Sequence, residues 1–330
     1  MTRVAVIATG GTIASTATDN GVVASRSAAD LFQNTQVGDV EVETVDLMTV
    51  GSYLMNLGHI RRISDAVAQL LARTTDPIDG IVITHGTDTT EETAILLDLV
   101  HDDPRPVVVT GAQRAADAAD GDGPRNLADA VRVAAAPEAR GRGVFIVFAG
   151  HILAARGTRK IHTEGLEAFG SVTGTALGEV VDGAVRFTST ARRPAPLPRP
   201  TSDFDHTRVD LVTIYPGADA TFLHAAVAAG ARGIVVAGTG LGNANPAVVE
   251  AAPALLSDGV AVVLSTRVQA GPVAGVYGNG GGADLVAAGV PPASGLPATQ
   301  LRMLLALWLS QHPAEPAEIR DMIARYADNT

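Results

Sequence analysis

Residues Val82–Thr93, VITHGTDTTEET, join the end of an apolar strand to a turn that is crowded with polar side chains. Four threonines, one histidine and one aspartate lie in this turn, next to the helical pattern of residues 90–101. Thr89 is followed three residues later by Glu92, a spacing that fits a capping box and predicts that the helix begins there. Capping alone does not explain four hydroxyl groups, so we interpret the turn as a candidate functional loop.

The alternation of strand and helix around this loop continues along the chain, which is typical of the α/β class. In the first half, nearly continuous apolar runs predict central parallel strands that are covered on both faces, over residues 3–9, 79–84, 105–111 and 142–150. Apolar residues at helical spacing predict the helices between them, over residues 59–74, 90–101 and 125–136. We therefore expect a larger N-terminal domain built on a doubly wound, mainly parallel sheet.

A proline-rich segment interrupts this pattern near residue 190 and divides the chain. Residues 190–205, TARRPAPLPRPTSDFD, have no apolar periodicity, and their prolines exclude a helix or a sheet ladder. We predict a domain over residues 1–189, a linker over 190–208 and a smaller α/β domain over 209–330. The glycine-rich stretch 278–284, GNGGGAD, is typical of an irregular, mobile loop, and its functional role stays open.

Composition limits the possible partners. The 330 residues carry a formal net charge of −11 and no long basic run, which argues against a nucleic acid or an anionic membrane surface and favours a small-molecule substrate. The absence of cysteine excludes disulfides and thiolate chemistry. The start, MTRVAVIATGG, reads as a strand and a turn rather than a signal peptide, so we expect a cytoplasmic protein. The apolar run MLLALWL is too short to span a bilayer.

Active sites of open parallel sheets lie beyond the carboxyl ends of the strands, which directs attention to two glycine turns. In ATGGTIAS, Gly10 and Gly11 allow a tight turn that places Thr12 at the sheet edge. In THGTDT, Thr87 and Asp88 follow the quoted strand. Neither turn has the G-x-G-x-x-G spacing of a dinucleotide site. Neither has the lysine followed by serine or threonine of a phosphate-binding loop, so nucleotide binding is not supported.

Lys160 stands out because it is the single lysine among 24 basic residues. Lysine differs from arginine in having a compact ammonium that loses its proton more readily on burial, which suits proton transfer. Thr12 is thus one candidate nucleophile, and Thr87, Asp88 and Lys160 form a candidate set of hydroxyl, carboxylate and amine. The alternative is that the threonines and Asp88 only cap local structure and that Lys160 is an ordinary surface residue.

Four segments together resemble the bacterial-type L-asparaginases: ATGGTIAS, VITHGTDTTEETAILLDL, GDGPRNLADAV and GTRKIHT. The resemblance covers essentially the whole chain and implies the two-domain asparaginase-like fold. It implies hydrolysis of L-asparagine to L-aspartate and ammonia through an acyl-enzyme on threonine, without a metal or an organic cofactor. It also implies a homo-oligomer in which dimers pair into a tetramer.

The resemblance carries roles over to individual positions. Thr12 matches the usual nucleophile, while Thr87, Asp88 and Lys160 match a set that moves protons and activates the attacking water. Ser52 matches the serine that holds the substrate α-carboxylate, and Asp88 is expected to accept the α-ammonium. Backbone N–H groups of the glycine turns, including that of Gly11, are candidates for the oxyanion hole. Asn243 matches an asparagine that reaches a neighbouring subunit's site.

This chain departs from the family pattern in the segment TDNGVVASRS, residues 18–27, which lacks the tyrosine that family members place against the nucleophile. Tyr53 occupies a substrate-binding position that is often glutamine. We hypothesise that Tyr53 supplies part of the missing tyrosine's role, and the alternative is that it only packs under this segment. His85 receives no role from the resemblance, and we interpret it as a hydrogen-bonded structural residue.

Several readings remain open at this point. The protein could be a glutaminase-asparaginase or another amidohydrolase of the same fold, such as the amidase subunit of a transfer-RNA-dependent amidotransferase. It could also be an amino-acid sensor that has lost catalysis, although a sensor has no need of a proton-moving lysine. The sequence decides neither which threonine attacks first nor whether the oligomer is a dimer or a tetramer.

Overall fold

The computed structural model describes residues 2–18, 21–24, 30, 37–172 and 174–327. The chain divides into two compact units, Met1–Arg199 and Pro200–Thr330. The division falls inside the predicted linker 190–208. The described helices include none that is both long and apolar enough to cross a membrane.

The first unit is built on an eight-stranded sheet with the order β12-β11-β8-β7-β6-β5-β1-β4. The strands of the unit are β1 Thr2–Ala8, β2 Ser15–Thr18, β3 Gly21–Ala24, β4 Val40–Asp46, β5 Gly80–Thr84, β6 Val107–Thr110, β7 Val144–Phe148, β8 His151–Ala154, β9 Thr158–Lys160, β10 Phe169–Ser171, β11 Gly178–Val181 and β12 Ala184–Phe187. Its α-helices with bounds in the described residues are α1 Leu57–Leu71, α2 Thr90–Val100 and α3 Gly123–Ala135.

The prediction of four central parallel strands is confirmed. β1 pairs in parallel with β5, β5 with β6, and β6 with β7. The prediction followed continuous apolar runs and therefore did not include β4, a half-buried edge strand whose apolar residues alternate with polar ones. It also missed the antiparallel strands β8, β11 and β12, which at four residues each are too short to produce a clear pattern.

Alternate residues of the strands supply two separate apolar cores. Val4 and Val6 of β1 pack on the face covered by α3, where Leu127 and Val131 lie. Ala5 and Ile7 point to the opposite face, which is covered by α1 and α2. Helices on both faces make this a doubly wound sheet, as the near-continuous apolar strands predicted.

The chain reverses its direction of winding between β1 and β5. The chain passes from β1 to its neighbour β4 at one edge of the sheet, and then returns to β5 on the other side of β1. The loops after β1 and β5 therefore leave the sheet in opposite directions, and a crevice opens between them at this switch point. Thr12 follows β1 and Thr87 follows β5, so both candidate threonines lie beside this crevice.

The second unit contains a three-stranded parallel sheet with the order β13-β14-β15. Its elements are β13 Val209–Thr213, α4 Thr221–Ala228, β14 Gly233–Gly238, α5 Pro246–Ser257, β15 Ala261–Thr266, α6 Gly282–Ala287, α7 Ala298–Leu309 and α8 Pro316–Tyr326. Ile234 and Val236 pack against α4 and α5. A methyl group on Gly233, which points to the other face, would lie 2.8 Å from Leu309 of α7. This unit is the predicted smaller α/β domain.

The glycine-rich stretch 278–284 is more regular than predicted. It leads directly into α6, and the Asp284 carboxylate accepts a hydrogen bond from the Gly280 N–H at 2.7 Å. A Cβ on Gly280 would lie 2.5 Å from Pro246 Cδ, and the backbone φ of Gly280 is +89°, so both the close packing and the left-handed conformation require glycine here. The prediction of an irregular loop was wrong for its last three residues.

The proline-rich segment has neither helix nor strand between residues 188 and 201, as predicted. Arg193 donates from Nε to the buried Asp98 carboxylate at 2.8 Å and from Nη2 to the carbonyls of Asp98 and His101. Arg156 shares the same carboxylate at 3.3 Å. Residues 190–199 are therefore attached to the first unit by a buried ion-pair network rather than left as a free connection.

Candidate active site

Loops from four neighbouring strands meet at the carboxyl edge of the first sheet. In the order β6-β5-β1-β4, these loops carry Gln113, Thr87, Thr12 and Ser52. The loop after β4 is tied to β1, because the Val50 N–H donates to the Thr9 carbonyl at 3.0 Å. The sheet thus aligns four polar side chains that are far apart in the sequence.

The backbones of the two glycine turns approach each other closely. Gly11 has φ +83°, and a Cβ placed on it would lie 2.6 Å from Gly86 Cα. A Cβ on Gly86 would lie 2.5 Å from the hydroxyl oxygen of the buried Ser52. Gly11, Gly86 and Ser52 are therefore in direct contact, and only hydrogen atoms at the two glycines permit this spacing.

Thr87, Asp88 and Lys160 are brought together by hydrogen bonds. Lys160 Nζ donates to Thr87 Oγ1 at 2.8 Å and to Asp88 Oδ1 at 2.8 Å. Thr87 is buried, whereas the Asp88 side chain is 54% exposed and the Lys160 side chain 17%. The amine thus lies between a buried hydroxyl and a carboxylate that is accessible to a ligand.

Glu91 fixes the strand that carries Lys160, and the sequence analysis assigned it no role. Its buried carboxylate accepts a hydrogen bond from the Lys160 backbone N–H at 2.6 Å. β9 also pairs with β10, where Lys160 lies opposite Phe169. The loop after β5 therefore contacts the Lys160 side chain through Thr87 and Asp88. Glu91, in the first turn of α2, holds the Lys160 main chain.

The predicted capping box at Thr89 is wrong. The helix does begin at Thr90, but the Thr89 side chain makes no capping hydrogen bond. Its hydroxyl donates to the Ser52 carbonyl at 2.9 Å instead. A contact to a neighbouring loop has replaced the local cap, which a sequence spacing cannot indicate.

His85 holds the interior of the same loop. Its Nδ1 lies 2.8 Å from the Gly86 carbonyl, which only accepts, so Nδ1 carries the proton and Nε2 accepts from Thr93 Oγ1 at 2.9 Å. Complete burial lowers the pKa of His85 to about 4. The neutral ring is a structural element of the loop, which agrees with the sequence interpretation.

Gln113 is the polar residue at this edge that the sequence analysis missed. Its Oε1 lies 3.0 Å from Thr87 Oγ1, and its Nε2 donates to the Gly165 carbonyl at 3.1 Å. The only available signal was its position after a strand, two residues beyond Gly111, which is common for residues without function.

Two further residues of the sequence prediction lie apart from this hydrogen-bond network. Tyr53 is 73% exposed, and its ring lies over Gly51, where a Cβ would come within 2.8 Å of Cε1. Asn243 lies in the second unit, where its Oδ1 accepts from the Gly282 N–H at 3.1 Å. Within the segment 18–27 of the missing tyrosine, residues 19, 20 and 25–27 lie outside the described residues. The hypothesis on Tyr53 stays a prediction.

The fold and this cluster of hydroxyl, amine and carboxylate are typical of a hydrolytic enzyme of the α/β class. The chain matches the family described as Asparaginase, N-terminal, over residues 3–193, and the Glutaminase/Asparaginase C-terminal domain over residues 208–323. The chain belongs to the asparaginase family and is an amidohydrolase. No group of three or more histidine or acidic side chains suited to a metal occurs within the described ranges.

Individual relatives agree with this assignment. A probable L-asparaginase of Deinococcus radiodurans is 37% identical over 93% of this chain and 93% of its own length. A glutaminase-asparaginase of Pseudomonas fluorescens is 35% identical over 82% of this chain and 77% of its own. The crystal structure of a probable cytoplasmic L-asparaginase from Campylobacter jejuni superposes with a TM-score of 0.85 at 33% identity, covering 99% of this chain and 100% of that one.

The close approach of the glycine turns predicts a severe effect of Gly11→Ala. The new methyl group would overlap Gly86, and the left-handed φ adds about 1–2 kcal/mol of strain. Gly217 is a matched control, because it has the same φ of +83° and nothing within 4 Å of its Cβ position. We expect Gly217→Ala to lose only the strain energy and to keep full activity, whereas Gly11→Ala loses activity and more stability. Urea unfolding and amide-hydrolysis rates measure both, and equal effects of the two substitutions would contradict the packing argument.

The lowered pKa of His85 predicts a specific dependence of stability on pH. The unfolded chain binds a proton near pH 6.5 and the folded chain only near pH 4, so the stability that the neutral ring provides is present above pH 6.5 and is lost as the pH falls to 4. Over the full titration, the shifted pKa of His85 lowers the free energy of unfolding by about 3 kcal/mol. We expect His85→Asn to be less stable at pH 7 but to lose less stability between pH 7 and pH 4.5 in urea titrations. The exposed His206→Asn serves as control, and an unchanged pH dependence in His85→Asn would be evidence against this role.

Proposed function

We propose that this amidohydrolase converts L-asparagine and water to L-aspartate and ammonia through an acyl-enzyme on Thr12. The observation that carries the proposal is the contact of Lys160 Nζ with both Thr87 Oγ1 and Asp88 Oδ1, at 2.8 Å each, beside the turn that carries Thr12. A single lysine placed between a buried hydroxyl and a carboxylate is suited to moving protons at an attacking nucleophile. The family membership of the chain supports the same reaction class.

In the first half of the reaction, Thr12 Oγ attacks the side-chain amide carbonyl of the substrate. The hydroxyl proton passes through Thr87, Lys160 and Asp88 to the amide nitrogen, which leaves as ammonia when its bond to carbon breaks. The negative charge on the tetrahedral intermediate is stabilised by backbone N–H groups of the glycine turns, including that of Gly11.

In the second half, Thr87, Asp88 and Lys160 activate a water molecule. The water adds to the ester carbon, and the ester bond to Thr12 breaks as the threonine recovers its proton. L-Aspartate leaves, and the free hydroxyl is restored. The same three residues therefore transfer protons in both halves, which explains why a hydroxyl and an amine are held at hydrogen-bond distance.

Recognition of the amino-acid end is assigned to the accessible carboxylate and to the buried serine. Asp88 is about half exposed and accepts the substrate α-ammonium by a charge-assisted hydrogen bond. Ser52, which contacts Gly86, donates to the α-carboxylate. Tyr53, the next residue in the chain, is assigned to substrate binding on the resemblance alone. These assignments place charge recognition on the loops after β4 and β5 and bond cleavage on the loop after β1.

Kinetics of purified variants test the proposal. We expect Thr12→Ala and Lys160→Met to lower kcat by about 10³-fold or more while the fold persists. Thr12→Ser retains a hydroxyl and should keep part of the rate. Lys160→Arg retains the positive charge but not the ability to take up and release a proton, so it should be as inactive as Lys160→Met. Full activity in Thr12→Ala or in Lys160→Met would refute the mechanism, and activity in Lys160→Arg would limit the lysine to an electrostatic role.

A glutaminase-asparaginase is the second candidate, because one relative at 35% identity carries that name. Glutamine differs by one methylene, and a pocket discriminates one methylene by about 10–200-fold. The same assays on L-asparagine, D-asparagine and L-glutamine therefore separate the two candidates through kcat/KM. Ammonia release from any of them also excludes a non-catalytic sensor.

We further propose a cytoplasmic homo-oligomer in which dimers pair into a tetramer. The resemblance assigns Asn243 to a neighbouring subunit's site, which a monomer would leave incomplete, and closed symmetry is the usual solution for identical chains. Light scattering of the purified protein should give a mass of about four chains, and a monomer that retains full activity would contradict the assignment of Asn243.

A further inference from the structure

We propose that Gln113 is a positioning residue that fixes the direction of the Thr87 hydroxyl, and this inference rests on the proposed function. Gln113 lies on the loop after β6 and does not belong to the set of residues that the resemblance assigned. Its side chain connects Thr87 to the segment that follows Lys160. The direction of the Thr87 hydroxyl is set by the end of the Gln113 amide that faces it.

The hydrogen bonds determine the orientation of the amide. The Gly165 carbonyl oxygen can only accept, so the group 3.1 Å from it must be the Gln113 NH₂. The amide oxygen Oε1 therefore faces Thr87 Oγ1 at 3.0 Å. Because Oε1 carries no hydrogen, the Thr87 hydroxyl donates its only proton to Gln113.

This direction has a consequence for Lys160. With its proton directed to Gln113, Thr87 presents a lone pair to Lys160 Nζ, which donates to it at 2.8 Å. Transfer of a proton from Thr87 to Lys160 requires the hydroxyl to turn towards the amine and to leave Oε1 without its donor. Gln113 thus fixes the Thr87 hydroxyl in one direction, with its proton towards the amide oxygen and a lone pair towards the Lys160 amine.

Both ends of Gln113 are rigidly held. Its backbone N–H and that of Arg114 donate to the Asp122 carboxylate at 2.9–3.1 Å, and Asn126 Nδ2 donates to the same carboxylate and to the Gly111 carbonyl. This explains the motif GDGPRNLADAV, which the sequence analysis noted without a mechanical role: Asp122 and Asn126 fix the loop after β6.

The partner carbonyl is fixed as well. His162 Nδ1 accepts from the backbone N–H of Glu164 at 3.0 Å and of Gly165 at 2.6 Å, which closes a tight turn. This turn directly follows Lys160 in the chain. One segment therefore supplies both the amine that contacts Thr87 and the carbonyl that orients Gln113, so the relative positions of the two partners of Thr87 are set together.

The test compares Gln113→Met, which keeps the length but not the hydrogen bonds, with Gln113→Glu, which keeps an acceptor for Thr87. We expect Gln113→Met to lower kcat by about 10–100-fold with KM changed by less than about threefold, and Gln113→Glu to retain more of the rate. Gln69→Met on α1 is the matched control and should behave as the wild type.

The pH profile of kcat separates positioning from a general structural effect. The charged groups that contact this network are Lys160 and Asp88, with Glu91 on the Lys160 backbone and Asp122 on the Gln113 backbone. In Gln113→Met the Thr87 hydroxyl loses its acceptor and is free to turn towards the Lys160 amine. The rising limb of the kcat profile should therefore move to lower pH. The added negative charge in Gln113→Glu should move it to higher pH. A purely structural role would not shift the rising limb in opposite directions in the two variants.

A double substitution tests whether Gln113 acts through Thr87. In a Thr87→Val background, which removes the hydroxyl but keeps its shape, adding Gln113→Met should lower kcat by less than about twofold. Independent losses in the double variant, or wild-type kcat and an unshifted profile in Gln113→Met, would overturn the inference while leaving the asparaginase proposal intact. An inactive wild type would instead remove the proposed function and this inference together.

Discussion

The constraint on which the rest depends is the contact between two backbones at the switch point of the sheet. Gly11 and Gly86 lie so close that neither tolerates a side chain, and Ser52 closes the same contact from the next loop. Because β1, β4 and β5 are neighbouring parallel strands, their loops must share this narrow edge. The close approach brings residues from three distant parts of the chain within reach of one small substrate.

Rigid support behind the reactive groups follows from the same geometry. The neutral His85 ring, the Glu91 carboxylate and the Asp122–Asn126 pair each fix the main chain of one loop, and each is buried or half buried. Catalytic groups must be held to within a fraction of an ångström, and buried hydrogen bonds to backbone groups provide that precision. Asp88 is the more exposed partner in its pair with Lys160, as its proposed contact with the charged end of the substrate requires.

Several features were predictable because they depend on local pattern. The four central strands follow from continuous apolar runs, since strands buried on both faces leave no room for polar residues. Lys160 attracted attention as the single lysine, and the structure places its amine beside Thr87 and Asp88. β4 was missed because a half-exposed edge strand has no continuous apolar run, and the antiparallel strands β8, β11 and β12 because four residues are too few to show a period. Gln113 was missed because a glutamine after a strand has no distinctive local signal.

The sequence by itself determined the fold class, a division of the chain within residues 190–208, the family and the loops on which the polar residues lie. These features depend on periodicity and on glycine, proline and polar residues at fixed offsets, which are local properties of the chain. The tertiary structure alone decided which side chains share hydrogen bonds: Thr89 with Ser52 rather than its own helix, and Thr87 with Gln113 as well as Lys160. Such pairings join residues up to 73 positions apart, and they are set by strand order and sheet register.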